Sequence, residues 1–524
     1  MALTVGAVVT LIVPLLVAPV HVASAGAGGP AYPLATTPVA TSIDLGHLGG
    51  KSSGATAVDG SVVVGSSRTA DDEYHAFAVD LADAEPEMID LGTVDGAQSS
   101  DAVDVSGSIV VGDSLVDNVP HGFVYDLADV DPAMRDIGSL GGGWTRVRAV
   151  DGSLVVGVSR TAAGESHAFV YDLAAEVPAM QDLGALGADT SAATHVDGSI
   201  VAGWYAAEFE GPGCNVNDLS FRAFAYDLAA EEPRMIELGT LGGCESSPTG
   251  LSGSVIVGWS SGHAFAYDLA AEEPAMQDLG VLPGRAYSEA ADVDDDVVVG
   301  WSEPTGPTDP SAFVYDLAAP APAMRELGKT WGAKTRATGI DGDIVLQSFR
   351  VRRQGDHAFV HDLAGDGSRP IGLGTWRGSE AADIDGDLVV GRSWRRGHYR
   401  ATAWDLRQTR RPVLAFKRLT QRAVGENTGK VRIRVTRTGA LDRAVTVRFR
   451  TRNASAKAGR DYVANSGKLR FGRGVKRRSI TVRILDDRRG EGAEHLLVTL
   501  SKPRKRAVLG TPSWTQVWIR PSDR

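Results

Sequence analysis

A phrase of the form HAFVYDLAAEVPAMQDLG, residues 167–184, returns with small changes through the first four fifths of the chain. A fixed period of this size constrains the fold more than any other feature, because it means one supersecondary unit repeated many times. The anchor DLG, or a variant of it, begins at Asp44, Asp90, Asp136, Asp182, Glu237, Asp278, Glu326 and Gly372, about 46 residues apart except across one insertion and one short copy. Each of the eight copies has the same order, which in the first reads as an LG-containing run, then ATAVDG, SVVVGSSR and HAFAVDL. These pieces have strand length. Asp-Gly at Asp59-Gly60, Asp151-Gly152, Asp197-Gly198, Asp341-Gly342 and Asp385-Gly386 predicts a two-residue type I′ hairpin between the second and third pieces. The run Val62 to Val64 is apolar on both faces, as in a strand buried between sheets, and the Gly that closes it (Gly65 in the first copy) predicts a bulge or a close backbone approach.

Four strands in each of eight copies predict an all-β chain whose main body is an eight-bladed β-propeller of four-stranded blades. A β-solenoid normally uses shorter rungs and polar caps, which this array lacks. The last copy ends at ATAWDLRQTRR with no DLG after it, so the first DLG run, near Ile43 to Gly46, is expected to supply the missing strand and close the ring. With DLGTLGG, VVVGxS and HAF in fixed order, residues 42–406 resemble the bacterial extracellular HAF repeat family. The resemblance implies export and a shared fold and gives almost nothing on ligand. The Trp usual after the triplet is here Tyr125, Tyr171, Tyr226, Tyr267 and Tyr315, and returns as Trp404.

A catalytic acid or base is normally unique, whereas the triplet His recurs at His75, His121, His167, His263 and His357 and is replaced by Arg222, Ser311 and Arg400. It reads as a structural hydrogen-bonding group, and the recurring Asp residues read as acceptors for turn amides. No catalytic residue is assigned, and no nucleophile elbow, zincin helix, Walker loop or EF-hand loop occurs in the array. Function is expected where the repeats break: the insertion Ala206–Ser220, the Pro-rich loop Ser302–Phe313, and the divergent seventh and eighth copies. There Trp331, Trp376 and Trp394, with Arg residues beside them, can stack on sugar rings and pair with anions, unless they simply pack the blades. Cys214, inside the insertion, and Cys244 are the two cysteines, and in an exported chain they are expected to pair.

The net charge of −12 conceals an asymmetry: residues 412–524 hold 28 Lys and Arg against 8 Asp and Glu, which leaves the rest near −32. The basic part alternates as short strands, in VRIRVTRTG, AVTVRFRTR, GKLRFGRG, RSITVRILDD and HLLVTLSKP, the pattern of a β-sandwich. The order Val424-Gly425-Glu426-Asn427, VRIRVTRTG, AKAGRDYVANSGKLRFGRG and SITVRILDDRRGEGAEHLLVTLSKP resembles the Calx-beta domain. In its calcium-binding members carboxylates at one end of the sandwich hold the ion, which implies Glu426, Asp461, Asp486, Asp487 and Glu491 as ligands for Ca²⁺ here. The family's last strand usually ends in consecutive Asp; this chain has Arg520 and Pro521 there, which weakens the expected site.

Residues 2–20 are apolar and Ala23-Ser24-Ala25 offers a small-residue cleavage site, so residues 1–25 read as a signal peptide, with retention as an anchor the alternative. The expected order is signal peptide, a linker over 26–41, the propeller over 42–408, the sandwich over 412–519 and a tail over 520–524. No transmembrane domain is expected in the mature chain. The expected function is that of a secreted or cell-surface, non-enzymatic binding protein whose extracellular ligand is a polysaccharide or another surface protein, without nucleic acid. The alternative is an extracellular polysaccharide hydrolase or lyase that uses a unique carboxylate pair in a divergent blade.

Overall fold

The computed structural model describes residues 40–208, 219–305, 310–328, 334–351, 355–363, 370–374, 378–406, 412–417, 420, 423–438, 444–486, 492–505, 507–509 and 512–521. Among them every regular element is a strand apart from the 3₁₀ turn Glu426–Thr428. The expected signal peptide, residues 1–25, and most of the expected linker lie outside the described residues.

The first unit pairs Gly49–Asp59, Val62–Thr69, Tyr74–Asp80 and Ile89–Gly92 in that order, all antiparallel. The same four-strand order follows seven more times, the third and fourth sheets being joined by a single bridge, Ser166 to Thr190. Each sheet begins one strand later than the repeated phrase, so DLG ends a sheet and does not start one. Val63 and Val64 are fully buried, one on each side of the sheet. Their neighbour Gly65 lies opposite a bulge at Thr56, where the first strand comes so close that an added Cβ would overlap the Gly54 carbonyl. The close approach is thus at the glycine, and the bulge is on its partner strand.

Consecutive sheets pack face to face and the eighth packs on the first. Phe169 and Tyr171 of the third sheet share a core with Val111, Val124 and Ile137 of the second, and Val390, Ala401 and Ala403 of the eighth share one with Val63 and Phe77 of the first. A serine on each of several first strands ties the junctions. Ser100 Oγ accepts Ala76 N at 2.8 Å and donates to Gly92 O at 2.5 Å, and Ser53 does the same to Ala401 N and Gly46 O across the closure. At the opposite end, the residue before each hairpin turn accepts the amide of the next turn: Asp59 from Gly107, Ser106 from Gly152, Asp151 from Gly198, Asp197 from Gly253, Ser252 from Asp295, Asp294 from Gly342 and Asp341 from Gly386. Asp385 completes the cycle on Gly60 at 2.5 Å.

The closing strand is where the phase of the repeats puts it. Thr41–Asp44 pairs antiparallel with His398–Asp405, in the register Thr41 to Asp405 and Asp44 to Thr402. Ala40 and Leu45 are buried at its two ends, and Arg395 reaches Asp44 and Ser42. The strand begins at Thr41, inside the expected linker.

The hairpin expectation needs correction. The two loop residues are Gly60 and Ser61, between paired Asp59 and Val62, and only Gly60 has positive φ, at 59°. That is the φ pattern of a type II′ turn, whose first central position calls for Gly; the Asp ends the strand and is left free to bond the neighbouring turn. The sixth sheet has Asp295 at this position with φ 49°. Asp295→Gly is therefore expected to stabilise the chain by about 0.5–1 kcal/mol, measured by chemical denaturation.

The first strands succeed one another in cyclic contact, each sheet's first strand touching that of the next. At their bulges Asp104, Asp292 and Asp383 each accept one amide of their own strand and one of the next sheet, from Val150, Ile340 and Val58 respectively. Burial, reinforced by neighbouring carboxylates such as Asp59, Asp294 and Asp385, pushes these acids up to about 6, about 7 and about 6. A raised carboxyl holds a proton in the folded chain that the unfolded chain has released, so stability falls as pH rises from about 4 through about 7. Half-buried His195, pushed down to about 4 by desolvation, acts in the opposite sense only between about pH 4 and its ordinary value. The unfolding temperature is expected to be several degrees lower at pH 8 than at pH 5, read by calorimetry at constant salt.

The basic part forms a two-sheet sandwich. One sheet runs Arg477–Arg483, Lys430–Thr438, Val413–Phe416, Val508–Leu509; the other runs Val424–Gly425, Trp514–Arg520, Glu494–Arg504, Val445–Asn453, Ser466–Phe471. Phe416, Ile433, Tyr462, Phe471, Leu496 and Val517 fill the space between them. The last strand reaches Arg520, one residue into the expected tail.

Candidate functional site

The recurring polar residues are engaged in holding the sheets. Nδ1 of His75, His121, His167 and His263 lies 2.8–3.0 Å from the carboxylates of Asp90, Asp136, Asp182 and Asp278, the Asp of the following DLG. Arg222 makes the same link to Glu237 at 2.6 Å. In four of these sheets the DLG Asp also accepts the amide two residues on, as Asp182 does from Gly184. This is the role the sequence assigns to them.

Residues that are not repeated gather at one end of the ring, where first strands begin and second strands finish. The insertion leaves at Glu208 and returns at Leu219, which are paired there, and the Pro-rich loop spans Glu303 to Ser311 at the same end of the sixth sheet. Trp394 is half-buried near that end of the eighth sheet, edge-on to Tyr399 at 5.0 Å, while Trp331 and Trp376 lie outside the described residues. Cys214 also lies outside them, and Cys244 is not a free thiol.

The position after the close-approach glycine carries Trp204, Trp259 and Trp301 in three successive sheets. Trp204 meets Phe221 edge-on at 4.9 Å, and the Arg336 guanidinium of the seventh sheet lies 4.7 Å over the Trp301 ring. Glu289 pairs across the strand with Trp301, and Arg336 also faces Glu303 at 3.6 Å. Burial pushes the Glu289 carboxyl up to about 7; Arg336 counteracts this and Glu303 adds to it. In the eighth sheet Arg392 binds Glu380 at 2.5 Å and stacks 4.4 Å from the Tyr399 ring. The end of the ring over the fourth to eighth sheets is thus an aromatic surface with fixed charges of both signs. The sequence reading missed these three Trp residues because they occupy a regular strand position. The available signal was their confinement to three of eight copies.

In the sandwich three of the five expected ligands are described. Glu426 opens the 3₁₀ turn and is buried; Asp461 is buried and accepts Lys457 N at 2.5 Å; Asp486 is exposed. Their backbones meet at one end: Ile484 N donates to Gly429 O at 3.1 Å, Leu485 N donates to Asp461 O at 3.0 Å, and Gly425 pairs with Arg520. Asp487 and Glu491 lie outside the described residues, and the described residues alone contain no group of three such side chains able to hold a metal. The donors are hard oxygens, the kind Ca²⁺ takes, and Arg520 stands beside them.

Residues 408–523 match the family model of the Calx-beta domain, and this part of the chain is a Calx-beta domain. It is 31% identical over 100 residues to the sodium/calcium exchanger Calx of Drosophila melanogaster, and 42% identical over 103 residues to extracellular matrix protein 3 of Lytechinus variegatus. These alignments cover 19% and 18% of the chain, and 10% and 3% of the two relatives' own lengths. A crystal structure of the calcium binding domain CBD12 of CALX1.1 is 29% identical, with a TM-score of 0.21, covering 21% of this chain and 46% of that one.

Proposed function

We propose that the chain is an exported, non-enzymatic binding or cell-surface interaction protein. In this reading the cycle of eight sheets is an eight-bladed β-propeller of the HAF repeat kind, and the Calx-beta domain takes Ca²⁺ weakly. The observation that carries it is the division of labour in the ring: repeated His, Asp and Ser side chains bond sheet to sheet, and the non-repeated aromatic and charged residues collect at one end. Export rests on residues 1–25; among the described residues no helix is long and apolar enough to cross a membrane. A glycan array combined with product analysis tests the reading, since it requires binding without cleavage.

Glu289 favours the second reading, a polysaccharide hydrolase or lyase, because a carboxyl held near 7 beside the carboxylate of Glu303 has the character of an acid–base pair. If that reading holds, released oligosaccharide appears with the native chain and is abolished in Glu289→Gln.

Glu426, Asp461 and Asp486, with Asp487 and Glu491, would hold the calcium ion, which supplies positive charge that ties the converging loops together. Titration calorimetry of the full chain is expected to show heat at millimolar Ca²⁺, lost in Asp461→Asn. Absence of heat would refute the site.

A further inference from the structure

We propose that the outer face of the five-stranded sheet of the Calx-beta domain binds an anionic polysaccharide; this deepens the binding-protein reading by naming a site and a ligand class. Strand alternation sends Leu496, Val498, Thr515 and Val517 into the core and turns the intervening residues outward. Outward on Val445–Asn453 are Arg448, Arg450 and Arg452, and on the neighbouring edge strand Lys468 and Arg470. None of these five cations makes an ion pair among the described residues, and no carboxylate is among the residues these strands turn outward.

Aromatic surface runs beside this charge. Trp514 is 40% exposed on the last strand, and Trp518, four residues on and on the same face, is half-buried and stacks with His495 at 4.7 Å. Between Trp514, His495 and Arg452 a groove of about 430 Å³ opens, lined also by Leu497, Thr499 and Gln516. A flat ring bordered by hydroxyl and amide groups suits a pyranose face, and the arginine row, with a side chain about every 7 Å, suits a charge repeated along a polymer. The opposite sheet provides a contrast. Its outer face is also basic, with Arg432, Arg434 and Arg483, but Trp is absent from its strands. Solubility alone explains the charge of both faces; the aromatic groove distinguishes one of them.

The test measures affinity of the full chain for polygalacturonate, dextran and oligodeoxythymidylate across a range of salt. Polygalacturonate is expected to bind and dextran not to. Trp514→Ala is expected to weaken binding about tenfold, with Trp514→Phe restoring most of it. Arg450→Ala with Arg452→Ala is expected to flatten the dependence of log affinity on log salt by about 1.5, while Arg432→Ala with Arg434→Ala leaves Trp514-dependent binding intact. Binding that survives Trp514→Ala, equal loss from the opposite-face pair, or tighter binding of the oligonucleotide would each overturn the proposal. Polygalacturonate binding abolished by Trp301→Ala but not by Trp514→Ala would move the site to the ring, overturning this proposal while leaving the binding-protein reading in place.

Discussion

Removing residues 38–47 lowers the unfolding temperature by at least about 5 °C and broadens the transition. The deletion takes away the outer strand of the eighth sheet and with it the pairing from Thr41 to Asp405 through Asp44 to Thr402. It also takes away Ala40, whose amide bonds the seventh sheet at Gly372 O, and Leu45, buried in the core shared by the eighth and first sheets. Burial of Leu45 alone is worth about 2 kcal/mol, and the deletion leaves His398–Asp405 with an open edge. Because the two ends of the array meet only here, opening this seam also releases the bond from Gly60 to Asp385 and the Ser53 bridge to Ala401. The measurement is calorimetry of the shortened and full chains. An unchanged transition would mean that the ring does not depend on its closing strand.

Gly258→Ala is the second large effect, with an expected loss of about 3 kcal/mol in chemical denaturation. The added methyl would overlap the Ser247 carbonyl and lie 2.9 Å from the Phe265 ring, so either the bulged first strand or the core phenylalanine has to move. Backbone and a buried ring both yield poorly. Gly65, Gly112, Gly157, Gly203 and Gly300 stand in the same relation to their sheets, whereas the seventh sheet has Gln347 at this position. Gln347 is buried with both amide atoms unpaired among the described residues, a cost that the sheets with glycine at this position do not bear there. A loss below about 1 kcal/mol for Gly258→Ala would show that the close approach relaxes easily.

Much of the fold is legible in the sequence because the same local problem is solved eight times. An error of reading in one copy is corrected by the next, and the missing last DLG points to the strand that closes the array. The turn type was misread because Asp-Gly was placed wholly inside the loop; pairing of Asp59 with Val62 shifts the loop by one residue. The two candidate surfaces were less legible for a different reason. Trp301, Arg336, Glu289 and Glu303 are spread over 48 residues and two sheets, and Arg452, His495 and Trp514 come from three strands. No local pattern joins them.

Alone, the sequence determined the unit, its number, the phase of its closure, the change to a basic sandwich at about residue 412 and the Calx-beta order of that part. These are properties of period and alternation, which the chain carries in one dimension. Only the tertiary structure decided which side chains meet: that four of the five triplet His residues are taken up by the Asp fifteen residues on, that burial of Asp104, Asp292 and Asp383 is deep enough for them to retain protons, and that aromatic and charged groups from separate strands share a surface. Sheet packing brings together residues far apart in the chain, and the resulting burial and charge, absent from any local stretch, set what those groups can do.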